Sequence, residues 1–398
     1  MDTQLFQDNQ SYNVQNDQTE PNIDDIINAI DFDNINRTNK NGDTLLHRAI
    51  KCNNILYVNV LLNKGDDINK PNYNGESPLH LAIKYNLPNI IELLLNMRAD
   101  VNKPTNHGYT PLHYAIYYNL PNIIELLIKK GADIHIQNIY GNTLLHWAIT
   151  CNNINVIELL LDNGIDLNTP NNDGDTPLLD AIYYNYLNIV ELLINKGADP
   201  NKPGRCNYTP LHFAIRAIQS IRLNEVENHI KMGIDINKLY IFTPHHNHIP
   251  ANNSPIIIDL LLKSGADINK PEINGLTPLH FAIHYKLSNI IELLIKKGAN
   301  IHLKDNYGTT PLHYVSSEDL PNIVDLLIKK GSDVNNRDNN GDTPLRNAIR
   351  GRQLNNIDIL INNGADINIP DNWGLSPIEC AIHHNLSNIV ERLLRKPC

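Results

Sequence analysis

Glycines recur every 33 residues along this chain, at Gly42, Gly75, Gly108, Gly141 and Gly174, and again at Gly275, Gly308, Gly341 and Gly374. A fixed step in this range belongs to stacked supersecondary units, each too small to bury its own apolar face and each leaning on its neighbours. The chain has 398 residues, a length that would otherwise suggest two or three globular domains. Here the periodicity overrides that expectation, because a stack lengthens without starting a new core. Eleven copies of the unit are read from Asn39 to the last residue. The question is therefore what a long surface holds, more than what a pocket catalyses.

The clearest copy starts at Gly108 and reads G-Y-T-P-L-H-Y-A-I-Y-Y-N-L-P-N-I-I-E-L-L-I-K-K-G-A-D-I-H. Thr110 is a helix cap, since its hydroxyl can accept from a free amide of the first turn. Pro111 fits the first helical position, where a missing N–H costs nothing. Leu112, Ala115 and Ile116 form one apolar stripe at helical spacing, and the small Ala115 lets a second helix approach. Asn119 and Leu120 turn the chain, and Pro121 restarts it. Ile123, Ile124, Leu126, Leu127 and Ile128 supply a second apolar face. Gly131 closes that helix, because a left-handed residue is easiest without a side chain. The polar segment 132–140 leads through a hairpin-like loop to the next copy. The expected fold is all-α: stacked helix–turn–helix units joined by short hairpin-like loops.

Gly108 to Ala115, repeated at Gly275 to Ala282 and, with Ser77 for Thr, at Gly75 to Ala82, resembles the ankyrin-repeat signature Gly-x-Thr-Pro-Leu-His-x-Ala. Gly265-Ala266-Asp267-Ile268-Asn269 resembles the family's Gly-Ala-Asp-Val-Asn. The resemblance covers roughly residues 21–398. It implies antiparallel helix pairs stacked into a curved solenoid, loops projecting at one edge, and protein binding without catalysis. The Asn- and Ile-rich substitutions are similar to those of ankyrin proteins from AT-rich genomes, including intracellular bacteria and large DNA viruses, and that likeness suggests a host-directed effector. The Asn content is otherwise read as neutral substitution.

The expected organisation runs as follows. Residues 1–20, rich in Gln, Asn and Asp, are a disordered tail. Residues 21–38 imitate the second half of a unit and make an N-terminal capping half repeat. Residues 39–240 hold repeats one to six. Residues 241–271 form a degenerate seventh repeat, where Pro244, Pro250 and Pro255 forbid a normal first helix. Residues 272–398 hold repeats eight to eleven. In the sixth unit the turn glycine is replaced by Asn207, and a three-residue expansion, A-I-Q-S-I-R-L-N, predicts a longer first helix there. Ser316–Asp319, Arg346-Asn347 and Ile378-Glu379 also leave the consensus.

Composition excludes several classes. The net charge is −10, which opposes a phosphate-backbone binder, and no Lys/Arg block exceeds two residues. No apolar run is long enough to span a membrane and no secretion signal is evident. Five cysteines without paired spacing suit a reducing compartment, so the expected site of action is the cytoplasm, or a host cytosol reached without a classical signal. No phosphate loop, nucleophile elbow or His-Glu-x-x-His is present, and the expected answer is no enzyme and no cofactor. His47, His80, His113 and His146 stand 33 apart, at a stacking distance of about 8–10 Å too wide to share a zinc ion. The resemblance makes them hydrogen-bonding ties between loops. His245, His246 and His248 crowd a loop but lack a thiol or carboxylate partner, so no metal site is expected.

Tyrosine is the informative residue, with 17 Tyr against 5 Phe. Tyr gives large contact area with little rotamer cost, a trait of binding hot spots. In ankyrin arrays the hairpin and the end of the first helix line the concave face. By that register the candidate partner-binding residues are Tyr73, Lys84, His107, Tyr109, Tyr117, Tyr140, Tyr183, Tyr208, His284, Tyr307, Trp373 and His383. In each Tyr pair the first member should face out and the second pack. The reading is a monomeric scaffold for protein partners, presenting a Tyr-rich, net acidic groove and binding neither nucleic acid nor membrane. The alternative is an enzyme inhibitor acting through residues 241–255.

Overall fold

The computed structural model describes residues 38–218 and 253–394. The tail, almost all of the capping half repeat, His245, His246 and His248, and the 241–252 part of the degenerate repeat lie outside these residues. The described residues fall into two compact units, one spanning 38–173 and the other 174–218 with 253–394. Among the described residues every regular element is a helix.

The first unit contains the helix pairs Leu45–Lys51 and Ile55–Asn63, Pro78–Lys84 and Pro88–Asn96, Pro111–Tyr117 and Pro121–Lys129, and Leu144–Thr150 and Ile154–Asp162. First helices pack on first helices and second on second, so two layers form. Leu112, Ala115, Ile116, Ile124 and Leu127 are fully buried, while Leu126 and Ile128 are half-buried. The second unit repeats the design through Pro177–Tyr183 and Leu187–Asn195, residues 210–218, Ser254–Lys263, Pro278–His284 and Ser288–Lys296, Pro311–Ser316 and Pro321–Lys329, Pro344–Arg350 and Leu354–Asn362, and Pro377–His383 and Ser387–Leu394.

Asparagine does three structural tasks, so its abundance is more than neutral substitution. Between paired helices, Asn53, Asn86, Asn119 and Asn152 take left-handed φ of 50–53°, a conformation Asn tolerates better than most residues. At the hairpin tips a main-chain ladder joins neighbouring repeats: the Asn106 N–H donates to Asn74 O at 3.2 Å, and Ile139 N–H to His107 O at 3.2 Å. Tip asparagines add a side-chain rung, as Asn106 Nδ2 donates to Tyr73 O (2.7 Å) and Asn372 Nδ2 to Asn339 O (2.8 Å). In the loop after the second helix, Asn102 Oδ1 accepts from Asp133 N–H (2.8 Å) while its Nδ2 donates to Gly131 O (3.2 Å). The tips approach so closely that Gly75, at φ +81°, has no room for a side chain. A Cβ there would lie 2.4 Å from the Asn106 nitrogen.

The same bonds correct the expected register around residue 241. Asn201 donates to Gly265 O (2.9 Å) and accepts from Asp267 N–H (2.6 Å), at separations of 64 and 66 residues. The matching bonds of Asn102 span 29 and 31. Likewise Ile273 N–H donates to Cys206 O (3.2 Å), so the Gly275 hairpin sits directly on the 204–208 turn. The helix Ser254–Lys263 packs on Leu187–Asn195 and therefore takes the second-helix place of the repeat whose first helix begins at residue 210. The helix expected to complete a separate seventh repeat instead completes the sixth, and the number of stacked units falls by one. Proline content had indicated a lost first helix. The neighbouring rungs show that the sixth repeat is split by an insertion between its two helices. As expected, its first helix is longer than the seven-residue Pro111–Tyr117, running through residue 218.

Two other departures are compensated locally. The turn at Asp319 lacks the left-handed Asn, and the buried Asn356 amide donates instead to the Ser316 (3.0 Å) and Glu318 (2.6 Å) carbonyls. Glu379 replaces the histidine of the last described pair and closes a capping box, accepting from Ser376 N–H at 2.8 Å.

Candidate functional site

A histidine stands three residues after most first-helix caps, and at His47, His80, His212 and His313 it ties a repeat to the next. The Ser77 N–H donates to His80 Nδ1 (3.1 Å), so the ring proton lies on Nε2, which donates to Tyr109 O (3.0 Å). His47, His212 and His313 make the same link to Glu76, Leu276 and Asp342 carbonyls at 3.0–3.1 Å. Burial holds the imidazoles neutral, pushing His80, His212 and His280 down to about 4 and His113 to about 3. These groups are structural, with both ring nitrogens engaged in most copies. Among the described residues no three His, Cys, Asp or Glu side chains gather to hold a metal ion.

The exposed flank of the first helices varies more. In the first two repeats, the last basic residue of the helix folds back on the acid preceding the cap: Lys51 Nζ lies 2.6 Å from Asp43 and Lys84 Nζ 3.1 Å from Glu76. Arg350 pairs with Asp342 in the same way in the second unit. In the third and fourth repeats these positions hold Tyr109 with Tyr117 and Asn142 with Thr150. Residues 104–124 and 134–157 contain no Asp, Glu, Lys or Arg at all. What fills the space is aromatic. Trp147 lies 4.9 Å from Tyr109 and 6.1 Å from Tyr117, ring centre to ring centre, and Tyr117 meets Tyr118 edge-on at 5.1 Å. The Trp147 indole N–H donates to His113 O (3.1 Å), and the Tyr114 hydroxyl donates to Glu76 Oε1 (3.0 Å). Burial raises the Tyr114, Tyr117 and Tyr118 phenols and pushes the Cys151 thiol up to about 12, so the strip stays uncharged at neutral pH. Beside it a cleft opens between the two interhelical turns, lined chiefly by Ile116, Tyr117, Cys151, Asn152, Ile154 and Asn155.

The residues picked from sequence are spread over both units. Tyr73, Tyr140, Tyr183, His284, Tyr307, Trp373 and His383 are exposed, Trp373 to 69%. His107, Tyr117 and Tyr208 are half-buried. Tyr109 is 3% exposed and is corrected to a core residue: its ring is wedged between His113 (5.6 Å) and Trp147. Lys84 is half-buried and held by Glu76, so its ammonium is already paired. Of the Tyr pairs, Tyr183 faces out and Tyr184 is half-buried, whereas Tyr117 and Tyr118 are both half-buried. Asp43, Glu76, Asp175, Glu272, Asp305, Asp342 and Asp371 are all buried, so none of them presents a free carboxylate on this face. Sequence reasoning passed over Trp147, Asn152 and Asn155, and took Cys151 as a packing substitute for the tyrosine of other repeats. The two charge-free stretches were the signal that could have found them.

Stacked pairs of short helices, tied by a comb of hairpins and carrying a variable flank, define a tandem-repeat binding module. The chain belongs to the ankyrin-repeat family: a family model described as ankyrin repeats (3 copies) matches residues 17–105, 67–138, 112–204, 246–338 and 315–398. Residues 205–245, which contain most of the insertion, are left unmatched. No curated protein sequence matches significantly. Among solved structures the chain is similar to the crystal structure of the ankyrin repeat domain of Bcl-3, described as a unique member of the IkappaB protein family. Identity is 26%, with 64% of this chain and 100% of that chain covered and a TM-score of 0.50. Ankyrin repeats generally serve protein–protein interaction and are non-enzymatic. Among the described residues no helix is long and apolar enough to cross a membrane.

Proposed function

We propose that the chain is a non-catalytic scaffold that binds a protein partner on the hairpin and first-helix flank, with the half-buried Tyr117 and the exposed Tyr140, backed by the buried Trp147, as its energetic centre. The observation that carries this reading is the absence of charged side chains from the hairpin and first-helix stretches of two successive repeats, residues 104–124 and 134–157, where neighbouring repeats keep closed ion pairs. Interface cores are depleted in charge and enriched in Tyr and Trp, and a few such residues carry most of the affinity. The exposed Tyr73, together with His107, extends this flank in the first unit. Tyr183, Tyr208, His284, Tyr307, Trp373 and His383 occupy the corresponding positions in the second and would add adaptable contacts there.

Proximity labelling with mass spectrometry, comparing the wild type with Tyr117→Ala and Tyr140→Ala, tests the reading. Each variant should lose a defined set of neighbours while keeping its thermal midpoint within a few degrees. Unchanged neighbour sets from both variants would overturn it.

A further inference from the structure

We propose that the cleft between the turns at Asn119 and Asn152 receives an uncharged aliphatic side chain from an extended segment of the partner, whose main chain is read by the Asn152 and Asn155 amides. The inference rests on the protein-binding reading and names the chemistry of the partner.

The cleft coincides with a substitution. Cys151 stands where the preceding repeat has Tyr118 and the repeat before that Tyr85. A thiol in place of a phenol ring leaves space between Tyr117 and Ile154, both half-buried, with Ile116 beneath. Ile116, Tyr117 and Ile154 give the cleft an apolar floor within a lining that is otherwise largely amide, and no charged group lines it. A buried ammonium or carboxylate would therefore be left without compensation, a cost of several kcal/mol per ion, whereas an aliphatic group would exchange water for carbon contacts.

The rim is made of amides. Asn119 and Asn153 are bonded to each other, Asn153 Nδ2 donating to Asn119 Oδ1 at 2.7 Å, and Asn153 Oδ1 also accepts from Val156 N–H. Asn152 and Asn155 are exposed, and their side-chain amides bond to no described residue of the chain. A carboxamide offers a donor pair and an acceptor, the complement of a peptide group. An uncharged peptide thus satisfies both parts of the site: a side chain for the apolar floor and a main chain for the rim. Binding between neutral surfaces should be almost indifferent to salt.

The probe is N-acetyl-leucine N′-methylamide, observed by saturation-transfer NMR with the full-length chain. N-acetyl-lysine and N-acetyl-glycine N′-methylamides serve as controls. The leucine methyls should receive saturation from the wild type, equally at about 50 and about 500 mM NaCl. They should fall to the glycine level with Cys151→Tyr, a variant that restores the residue of the neighbouring repeats and so should fold. Asn155→Ala should weaken the signal while leaving the cleft open. Equal saturation with Cys151→Tyr, or a lysine signal matching that of leucine, would overturn the assignment. If the leucine signal is missing although Tyr117→Ala still abolishes neighbour labelling, the cleft chemistry is wrong and the wider binding reading stands.

Discussion

His80 and Arg346 hold the same place in two different repeats and solve one problem by different chemistry. Each lies three residues after its cap, and each sends an N–H to the carbonyl that precedes the next cap, Tyr109 O for His80 and Leu375 O for Arg346. The imidazole does so uncharged and fully buried. The guanidinium is always charged, and it is 4% exposed only because Asp342 and Asp371 flank it, both buried as well. The slot therefore tolerates a change of donor, and it does without one where Leu179 and Glu379 stand. The choice of donor decides how many neighbours must change with it, and how the link responds to acid.

The largest effect should come from removing the charged link. Arg346→Ala removes the guanidinium from the buried Asp371 and leaves Asp342 with Arg350 alone, and should cost about 3–5 kcal/mol in urea unfolding of the full chain. A loss below about 1 kcal/mol would mean that the acids are solvated and the comparison fails. His80→Ala removes an uncharged link, leaving the Ser77 amide without its partner and the Tyr109 carbonyl with the Thr105 N–H alone. It should cost roughly 1–3 kcal/mol. If it proves as damaging as Arg346→Ala, charge is not what separates the two.

Acid sharpens the contrast. His80, His113, His212 and His280 stay neutral in the fold far below the ordinary histidine range. The unfolded chain binds protons below pH ~6.5 that the folded chain refuses. Stability should be complete above that pH and should decline steadily toward pH 4. Replacing one imidazole, as in His80→Gln, should flatten the decline. Asp66 works the other way. Burial pushes its carboxyl up to about 6 at a position where later repeats carry Ala99 and Ala132. It is ionised at a cost above pH 6 and relieved below it, so Asp66→Ala should stabilise the first unit at pH 7 and steepen the acid decline. The smallest effect is expected for Asn106→Ala, which removes a tip rung beside the His80 link without touching a ring. A loss of about 1 kcal/mol in the same unfolding assay is the expected outcome.

Much of the fold was legible because its signals are local. The cap Thr110, the helix-starting Pro111, the stripe of Leu112, Ala115 and Ile116, and the closing Gly131 each act within a few residues, and the structure places all of them as expected. What escaped depends on which repeat faces which. Tyr109 looked like a loop aromatic, but its burial comes from Trp147, 38 positions on. Arg346 looked like drift until the buried Asp371 was found opposite it. Residues 254–263 were assigned to a repeat of their own, because no local pattern reports that Gly265 answers Asn201. The aromatic strip is a mixed case. Its tyrosines were singled out one by one, while its defining property is a missing charge shared by two repeats, visible only when both are read together.

The rungs on either side of the split repeat carry a practical consequence. A chain that leaves its register after one helix and rejoins it before the next needs its ends held by adjoining layers, and Asn201 and His212 supply those grips. Closing a longer excursion adds little entropy once the ends are anchored, about 0.6 kcal/mol for each doubling of length. The turn between paired helices is thus a natural docking bay for foreign sequence. A reporter or a second binding element spliced there should ride on the array while the layers above and below stay in step.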